Sequence, residues 1–352
     1  MLSKILLSKT RRNFMYKCAF LGCGGRARGH AHAYSRITRG KMVALCDLDE
    51  KRLTAFGNEF GIDRRYTDIH EMLDKEKPDV LHIVTQPTLR VPLMTIAAEH
   101  NVPAAIVEKP VALGGSDYRD IVELGQRSKT KFVVNHQLRH HPKLIELLND
   151  VYEGRIGDVR FLDVSARLNL SGQGTHVEDL MFAFNNYARP VSVFGQASGA
   201  SAMNSTHPAP DMAEAEIIFE NGIHALLACG VNGTSVGDYP QHYHKRIAAY
   251  GTRGFVHWQM EAWERSTIGG GYERGSKSYG AEDVLGQQGL TEAVFDWLDD
   301  ENKLHPNRLE ISLLEFNVIL GLYTSVVKRA PVELPVEPAD NLLDDLRVAL
   351  GG

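Results

Sequence analysis

Short apolar runs without polar alternation recur through the first third of the chain and are separated by stretches with helical spacing. Such runs are typical of parallel strands that helices cover on both faces. The predicted strands are Cys18–Leu21, Met42–Cys46, Val80–Thr85, Ala104–Val107 and Phe132–Val134. Asp68 and Glu71 predict a capping box that opens a helix at Ile69–Leu73. Because strands alternate with helices, this region predicts an α/β fold with a doubly wound parallel sheet.

The pattern changes after about residue 138, where longer strands show a two-residue alternation. Strands of this kind predict an open, mainly antiparallel sheet in an α+β domain. These strands are Val159–Leu168, Ala215–Phe219, His224–Cys229 and Ile247–Tyr250. The stretch Gly269–Gly280 is rich in Gly, Ser and Tyr, so it is predicted as a long surface loop, with a lid as the alternative.

Composition places the chain among ordinary globular proteins. It has 352 residues, a formal net charge of -5 and 24% charged residues, which leaves room for two domains. The charge creates no strong field, so we expect neither nucleic acid nor a membrane as a partner. The four cysteines form no Cys-x-x-Cys pair and are expected to be thiols in a reducing compartment.

The first residues need separate treatment because Thr10-Arg11-Arg12-Asn13-Phe14 resembles a twin-arginine export motif. Export requires an apolar region after the motif, and the next apolar run is already assigned to the first strand. A flexible extension, or a true start at Met15, is therefore favoured over export, and a cytoplasmic location is expected.

A glycine-rich turn follows the first predicted strand and precedes a predicted helix; it reads Gly22-Cys23-Gly24-Gly25-Arg26-Ala27. This spacing permits a tight turn, a close approach of the backbone to a pyrophosphate, and a helix N-terminus that faces the anion. The turn therefore predicts a bound dinucleotide, and a structural turn without ligand is the alternative.

The cofactor is predicted from the end of the second strand. Asp47 stands about where the dinucleotide-binding fingerprint has an acid that binds the ribose hydroxyls. A carboxylate there would repel a 2′-phosphate, so we predict NAD; Arg26, Lys51 and Arg52 keep NADP open. Capping of the following helix is the alternative role for Asp47.

Residues that follow the later strands are also expected near the cofactor, because the carboxyl ends of the strands form the ligand edge of such a sheet. These residues are Thr85, Pro87, Glu108 and Asn135. Lys109 lies at the same edge, where the fold would hold a reacting group beside the dinucleotide. A lysine in that place, combined with the glycine-rich turn, indicates hydride transfer to or from a nicotinamide.

These motifs together resemble the glucose–fructose oxidoreductase / inositol dehydrogenase (Gfo/Idh/MocA) family over nearly the whole chain from about Tyr16. The resemblance rests on the turn from Gly22 to Arg26, Asp47, Thr85-x-Pro87, Glu108-Lys109-Pro110, Gly154-x-Ile156-Gly157, Gly174-Thr175-His176-x-x-Asp179, Gly251-Thr252-Arg253-Gly254 and Pro331-Val332-x-Leu334-Pro335.

The resemblance implies a dehydrogenase of sugars, sugar derivatives, polyols or cyclitols. It implies that Lys109 binds the reacting oxygen and helps to move its proton, and that Glu108 lies near the nicotinamide ribose. It also implies a Lys109–Pro110 peptide that is often cis. Some relatives place the acid before the histidine, whereas this chain has His176 before Asp179, which leaves the division of labour between the two open.

The residues support a proton acceptor at His176 independently. Thr175 and Glu178 fit a capping box, which would place His176 at the start of a helix and Asp179 on the same helix face. The positive end of the helix dipole and a nearby lysine would keep His176 neutral and able to accept a proton. His176 is therefore predicted as the base, and Asp179 as a group that binds or orients the substrate.

The remaining histidines do not predict a metal site, because His140-His141 and His242-Tyr243-His244 lack ligand partners at suitable spacing. His242 or His244 is an alternative lining residue of the sugar pocket.

We therefore expect residues 1–15 to form the flexible extension, residues 16–137 a Rossmann dinucleotide-binding domain, and residues 138–352 a domain for substrate binding and oligomerisation. The last helix can return to the Rossmann domain. The apolar outer face of the second sheet predicts a homo-oligomer, a dimer or a tetramer. Two other functions stay open: a glycoside hydrolase or lyase that uses tightly bound NAD without net redox change, and a non-catalytic sensor of sugars or nucleotides.

Overall fold

The computed structural model of the protein describes residues 15–352. Apart from Met15, the extension predicted at residues 1–15 lies outside the described residues.

The described chain alternates strands and helices in its first part and is richer in strands afterwards. The strands are β1 Tyr16–Leu21, β2 Gly40–Cys46, β3 Arg65–Tyr66, β4 Val80–Ile83, β5 Ala104–Val107, β6 Lys131–Val134, β7 Val159–Ala166, β8 Pro190–Ser198, β9 Met212–Phe219, β10 His224–Gly230, β11 Lys245–Gly251, β12 Phe255–Gln259, β13 Ala262–Thr267, β14 Gly271–Ser276 and β15 Val332–Glu333. The helices are α1 Gly25–Ala33, α2 Glu50–Phe60, α3 Ile69–Glu76, α4 Arg90–Glu99, α5 Gly115–Arg127, α6 Pro142–Tyr152, α7 Thr175–Phe184, α8 Tyr279–Asp299, α9 Leu309–Lys328 and α10 Leu342–Ala349.

The first sheet is parallel throughout and has the order β3-β2-β1-β4-β5-β6. Every residue of β4 and of β5 is buried, as expected for strands covered on both faces. This strand order is that of the doubly wound dinucleotide-binding fold, in which ligands bind where the order reverses, here beside β1 and β4. The predicted α/β fold class is confirmed, and the five predicted strands are present with shifts of a few residues at their ends.

The second sheet has nine strands in the order β14-β13-β12-β11-β7-β10-β9-β8-β15. Its pairs are antiparallel except β7 with β10, which run parallel. Residues of β9 alternate between buried and exposed, so one face packs on helices and the other is open. The predicted open, mainly antiparallel sheet is confirmed.

The prediction of a long loop at Gly269–Gly280 is wrong. Residues 271–276 form β14, which pairs with β13 through a tight turn in which Gly269 and Gly271 have positive φ angles. Most residues of β14 are exposed, so the strand lacks the apolar alternation that would have revealed it. The stretch is therefore an edge hairpin rather than a loop.

Two long helices connect the two sheets. The helix α8, which the sequence pattern did not reveal, packs against the first sheet, where Phe295 stacks on Tyr16 with ring centres 4.6 Å apart. The helix α9 is long and apolar enough to cross a membrane by composition, but most of it is buried inside the protein. In α10, Leu343 lies close to Gly114, which precedes α5 of the first sheet.

Candidate active site

The glycine-rich turn packs against the residue that follows β4. Gly22 has a φ angle of +93°, and a Cβ atom on it would lie 2.3 Å from the carbonyl oxygen of Val84. A Cβ atom on Gly24 or Gly25 would have no described atom within 4 Å beyond its chain neighbours and the backbone of its own helix. Only a residue without a side chain fits at Gly22, whereas Gly24 and Gly25 leave an open cradle before α1. Ala27 is fully buried inside α1 and does not line that cradle.

Asp47, which directly follows β2, binds this turn through a hydrogen bond. Its Oδ2 atom accepts a hydrogen bond of 2.7 Å from the backbone N–H of Cys23, and Oδ1 accepts one of 2.8 Å from Asp49. Arg52 completes an ion pair with Asp47 at 3.2 Å. The cap of α2 is Asp49, whose carboxylate accepts from two backbone N–H groups, so the alternative capping role for Asp47 is wrong.

A cleft of about 700 Å³ opens along the carboxyl edge of the first sheet. Nine of the predicted site residues line it: Gly22, Gly24, Gly25, Arg26, Asp47, Thr85, Pro87, Glu108 and Lys109. The open cradle at a helix N-terminus suits a pyrophosphate, and a carboxylate at the end of β2 suits ribose hydroxyls. The residues present therefore fit a dinucleotide.

Glu108 is a buried carboxylate with three hydrogen-bond donors. Its Oε1 atom is 2.8 Å from His30 Nε2, 2.8 Å from Asn135 Nδ2 and 3.1 Å from Arg26 Nε. Burial alone would raise its pKa, but Arg26 and His30 hold the pKa well below its usual value. Asn135 is fully buried behind Glu108 and does not line the cleft.

Lys109 projects from the end of β5 into the cleft. Its ammonium group donates a hydrogen bond of 2.6 Å to the carbonyl oxygen of Gly172, and the Lys109–Pro110 peptide is cis. Burial lowers the pKa of Lys109; the charge of Glu108 opposes this shift, and the charges of Arg26 and Arg90 add to it. The lysine is thus held by the segment that leads into α7.

His176 is buried in the first turn of α7, and its ring stands edge-on to that of His136 with centres 5.5 Å apart. Burial lowers its pKa well below the usual value, followed by the charges of Lys109 and Lys245. Among residues 15–352, its Nδ1 atom has no hydrogen-bond partner. A neutral imidazole with a free ring nitrogen can accept a proton.

The capping box predicted for Thr175 and Glu178 is wrong. The residue before the helix is Gly174, no side chain caps α7, and the Thr175 hydroxyl has no partner among the described residues. The reason is that Leu170–Gly174 already forms a helical turn, whose carbonyl groups accept from the N–H of Thr175. The neutral state of His176 therefore follows from burial and nearby cations rather than from a bare helix end.

Asp179 lies three residues after His176 on α7 and is fully buried. It accepts hydrogen bonds of 2.5 Å from Arg139 Nη2 and 2.6 Å from Asn307 Nδ2. With His136 and Glu315 it forms a cluster whose ligand atoms lie within 4.8 Å of one another, a grouping able to hold a metal ion. Arg139 already donates to Asp179 and lies 3.4 Å from Glu315, so a cation is present between the carboxylates.

Lys245 is a buried lysine, absent from the lining of the cleft, whose charge acts on His176; the sequence reasoning missed it. Its ammonium group donates to the carbonyl oxygen of His242, and burial, followed by the charge of Lys109, lowers its pKa to about 7. The strand pattern indicated its burial, because Lys245 lies two residues before the buried Ile247 and therefore on the same face of β11. Arg246 lies on the other face and donates to Asp163. Of the predicted alternatives, His242 is exposed, and His244 is buried with hydrogen bonds to the loop at residues 236–239.

Comparisons with known proteins agree with this geometry. The model of the Gfo/Idh/MocA family, described as an oxidoreductase family with an NAD-binding Rossmann fold, matches residues 16–136. D-apiose dehydrogenase from Paraburkholderia graminis is 31% identical over 245 residues, which span 64% of this chain and 64% of that protein. Inositol 2-dehydrogenase from Rhizobium meliloti is 25% identical over 147 residues, 42% of this chain and 44% of that protein.

The fold also matches a solved structure over almost its full length. An oxidoreductase from Agrobacterium radiobacter, crystallised with NAD+, L-tartaric acid and magnesium, superposes with a TM-score of 0.78 at 21% identity. The match covers 90% of this chain and 98% of that one. The fold of both domains is therefore shared with that oxidoreductase.

Proposed function

We propose that this chain, which belongs to the Gfo/Idh/MocA oxidoreductase family, is an NAD-dependent dehydrogenase that acts on a hydroxyl group of a sugar, polyol or cyclitol. The observation that carries the proposal is the position of Lys109, in the cleft that the glycine-rich turn and Asp47 border. The sugar and cyclitol dehydrogenases among the relatives support the substrate class.

The cofactor has a defined place in this proposal. Gly24 and Gly25 would hold its pyrophosphate and Asp47 its ribose, while Glu108 borders the same cleft farther along the strand edge. When bound, NAD supplies the hydride acceptor for oxidation of the substrate. The carboxylate of Asp47 disfavours a 2′-phosphate, although Arg52 at the same place tempers that effect.

Lys109 and His176 handle the proton of the substrate hydroxyl. The Lys109 ammonium group donates to the reacting oxygen and stabilises negative charge on it as the proton leaves. His176 accepts that proton on its neutral imidazole ring. Asp179 lies 3.5 Å from Nδ1 of His136, whose ring packs edge-on to that of His176. Through His136 it orients the imidazole of His176, and it does not touch the substrate itself.

Further proposals concern the whole protein. Residues 16–137 bind the cofactor and residues 138–352 bind the substrate and pair the subunits. The four buried, unpaired cysteines suit a reducing compartment, which supports a cytoplasmic location.

The test is Lys109→Met, assayed by absorbance at 340 nm with a panel of sugars, polyols and cyclitols and either NAD or NADP. We expect turnover to fall by about 10²- to 10⁴-fold, because the group that polarises the oxygen is lost. Lys75→Met is the matched control, since Lys75 is exposed and pairs with Glu71 on α3.

Two outcomes would contradict the proposal. Turnover by Lys109→Met near that of the unmodified enzyme would remove the lysine from the mechanism. Product formation from glycosides without any net change at 340 nm would favour the hydrolase or lyase alternative.

A further inference from the structure

The cleft along the first sheet has one lining residue that comes from the other sheet. Of the described residues that line the cleft, His207 alone comes after Lys109 in the chain, and it stands in the loop between β8 and β9. The sequence motifs did not include His207, and the proposed reaction does not use it. A polar side chain in the lining can contact the molecule that fills the cleft.

The loop that carries His207 is held by hydrogen bonds from its own residues. The carboxylate of Asp211 accepts from the backbone N–H groups of Ser201 and Ala202, at 3.2 and 3.1 Å. The backbone N–H of His207 donates to the hydroxyl of Ser205 at 3.1 Å. Because the loop is already held, a contact made by His207 costs little ordering entropy.

A further set of hydrogen bonds places His207 beside the segment that holds Lys109. Asn169 donates from Nδ2 to the carbonyl oxygen of His207 at 3.3 Å, and its Oδ1 accepts from the N–H of Gly172 at 2.7 Å. The carbonyl oxygen of Gly172 in turn accepts from the Lys109 ammonium group at 2.6 Å. A Cβ atom on Gly172 would lie 4.0 Å from the Cβ of His207. His207 and Lys109 therefore flank the same residue.

The half-buried imidazole of His207 has a ring nitrogen to offer. Its Nδ1 atom is 3.1 Å from the hydroxyl of Thr206, and within residues 15–352 its Nε2 atom forms no hydrogen bond. Burial lowers the pKa of the ring, and the charges of Lys109 and Arg90 add to the shift, whereas Glu108 opposes it. The ring is therefore neutral at pH 7, with one N–H donor and one bare nitrogen.

The position of His207 corresponds to the nicotinamide half of a bound dinucleotide. In this fold the acid after the second strand binds the adenosine ribose, and that acid is Asp47 in this chain. The nicotinamide then belongs at the Lys109 end of the cleft, which His207 also borders. Glu108 is the expected neighbour of the ribose at that end, which leaves the carboxamide. A carboxamide has both a donor and an acceptor, so it can pair with either tautomer of neutral His207.

We propose that Nε2 of His207 forms a hydrogen bond with the carboxamide of the nicotinamide, so that a residue of the second sheet helps to bind the cofactor. This inference rests on the proposed NAD-dependent function and deepens it. A hydrogen bond to the carboxamide restrains rotation of the nicotinamide ring about its bond to the ribose. The restraint favours one face of the ring for hydride exchange with the substrate.

The experiment is calorimetric titration of the unmodified protein and of His207→Ala with two ligands, NAD and ADP-ribose, which lacks the nicotinamide. We expect His207→Ala to bind NAD about 3- to 10-fold more weakly, as for the loss of one hydrogen bond between neutral groups. Its affinity for ADP-ribose should be unchanged. His207→Phe keeps an aromatic ring without the two nitrogen atoms and should weaken NAD binding in the same way.

Controls separate the contact from a general disturbance of the loop. Asn204→Ala is matched, because Asn204 is exposed in the same loop and does not line the cleft. It should bind both ligands as the unmodified protein does. Thermal melting of every variant checks the fold, and His207→Phe decides the question if His207→Ala is unfolded.

The outcomes separate this inference from the proposed function. Unchanged NAD affinity in His207→Ala overturns the inference. An equal loss for NAD and ADP-ribose overturns it too, because the contact would then lie on the ribose or the pyrophosphate. Both results leave the dehydrogenase assignment standing, since that depends on turnover by Lys109→Met. A failure of the unmodified protein to bind NAD would refute the proposed function and this inference together.

Discussion

At the scale of single residues, the direction of an effect was easier to predict than its cause. The sequence predicted a neutral His176, and its pKa is indeed lowered. The predicted helix cap does not exist, however, and burial with Lys109 and Lys245 lowers the pKa instead. Asp68, by contrast, caps α3 by accepting from the N–H of Glu71, as predicted. Local hydrogen bonds between neighbours can be inferred from spacing, whereas burial depends on the rest of the chain.

A prediction at this scale concerns acid stability through Asp283. Although burial opposes its ionisation, His141, Arg26 and Gln137 lower the pKa of Asp283 to about 2. A carboxyl whose pKa falls on folding stabilises the protein above its unfolded pKa, about 3.9, and that stabilisation is lost as the pH falls toward 2. We expect Asp283 to contribute about 2 kcal/mol at pH 5 that disappears between about pH 4 and 2.

The measurement is urea unfolding of the unmodified protein and of Asp283→Asn from pH 5 downward. Asp283→Asn should be less stable at pH 5, and the gap should close at lower pH. Asp63→Asn, at an exposed loop position, is the control and should follow the unmodified protein throughout. A gap between Asp283→Asn and the unmodified protein that does not change with pH would contradict this account.

At the scale of elements, apolar runs revealed strands that are buried on both faces and missed those with little burial. The strand β5 was predicted with its observed bounds, because all four residues are apolar and a turn follows. The strand β14 was missed, because its mostly exposed residues carry no alternation. The helix α8 was missed too, since its buried residues include Gly286, Gln287 and Thr291, which do not register as an apolar stripe.

The glycine-rich turn gives a prediction that separates folding from cofactor binding. Gly22→Ala should destabilise the protein by about 1–3 kcal/mol, because the new methyl group meets the Val84 carbonyl at a positive φ angle. The free energy of unfolding of Gly24→Ala should lie within about 0.5 kcal/mol of that of the unmodified protein. It should nevertheless bind NAD about tenfold or more weakly, since its methyl group projects into the open cradle.

Urea unfolding and calorimetric titration with NAD check the two variants side by side. A Gly24→Ala protein with unchanged NAD affinity would mean that the pyrophosphate does not approach this turn. Equal stability of Gly22→Ala and the unmodified protein would mean that the turn relaxes at no cost.

At the scale of the whole molecule, one face of the second sheet is left uncovered by the helices of residues 15–352. Leu226 and Tyr250 are exposed there by 47% and 41%. Phe161, Tyr250, Phe255 and Tyr272 follow one another across the strands with ring centres 6.1–6.4 Å apart. Apolar side chains that line up across an exposed sheet mark an interaction surface, which supports the proposed homo-oligomer.

We expect the protein to be an oligomer at micromolar concentration and Leu226→Glu to shift it toward the monomer, because each interface would bury a new charge. Light scattering gives the mass. Val348→Glu is the matched control, since Val348 is 74% exposed on α10, away from the sheet. A monomeric mass for the unmodified protein would contradict the proposal.

The sequence by itself determined the fold class, the cofactor cleft and the residues that follow each parallel strand. These features depend on local patterns, since strand ends, tight turns and the residues next to them are encoded within a few positions. Only the tertiary structure showed that Asn135 and Asp179 are buried outside the lining of the cleft and that Lys245 is buried. Those positions depend on how two sheets pack across more than a hundred residues, and burial and charge at such a distance are properties of the packed chain.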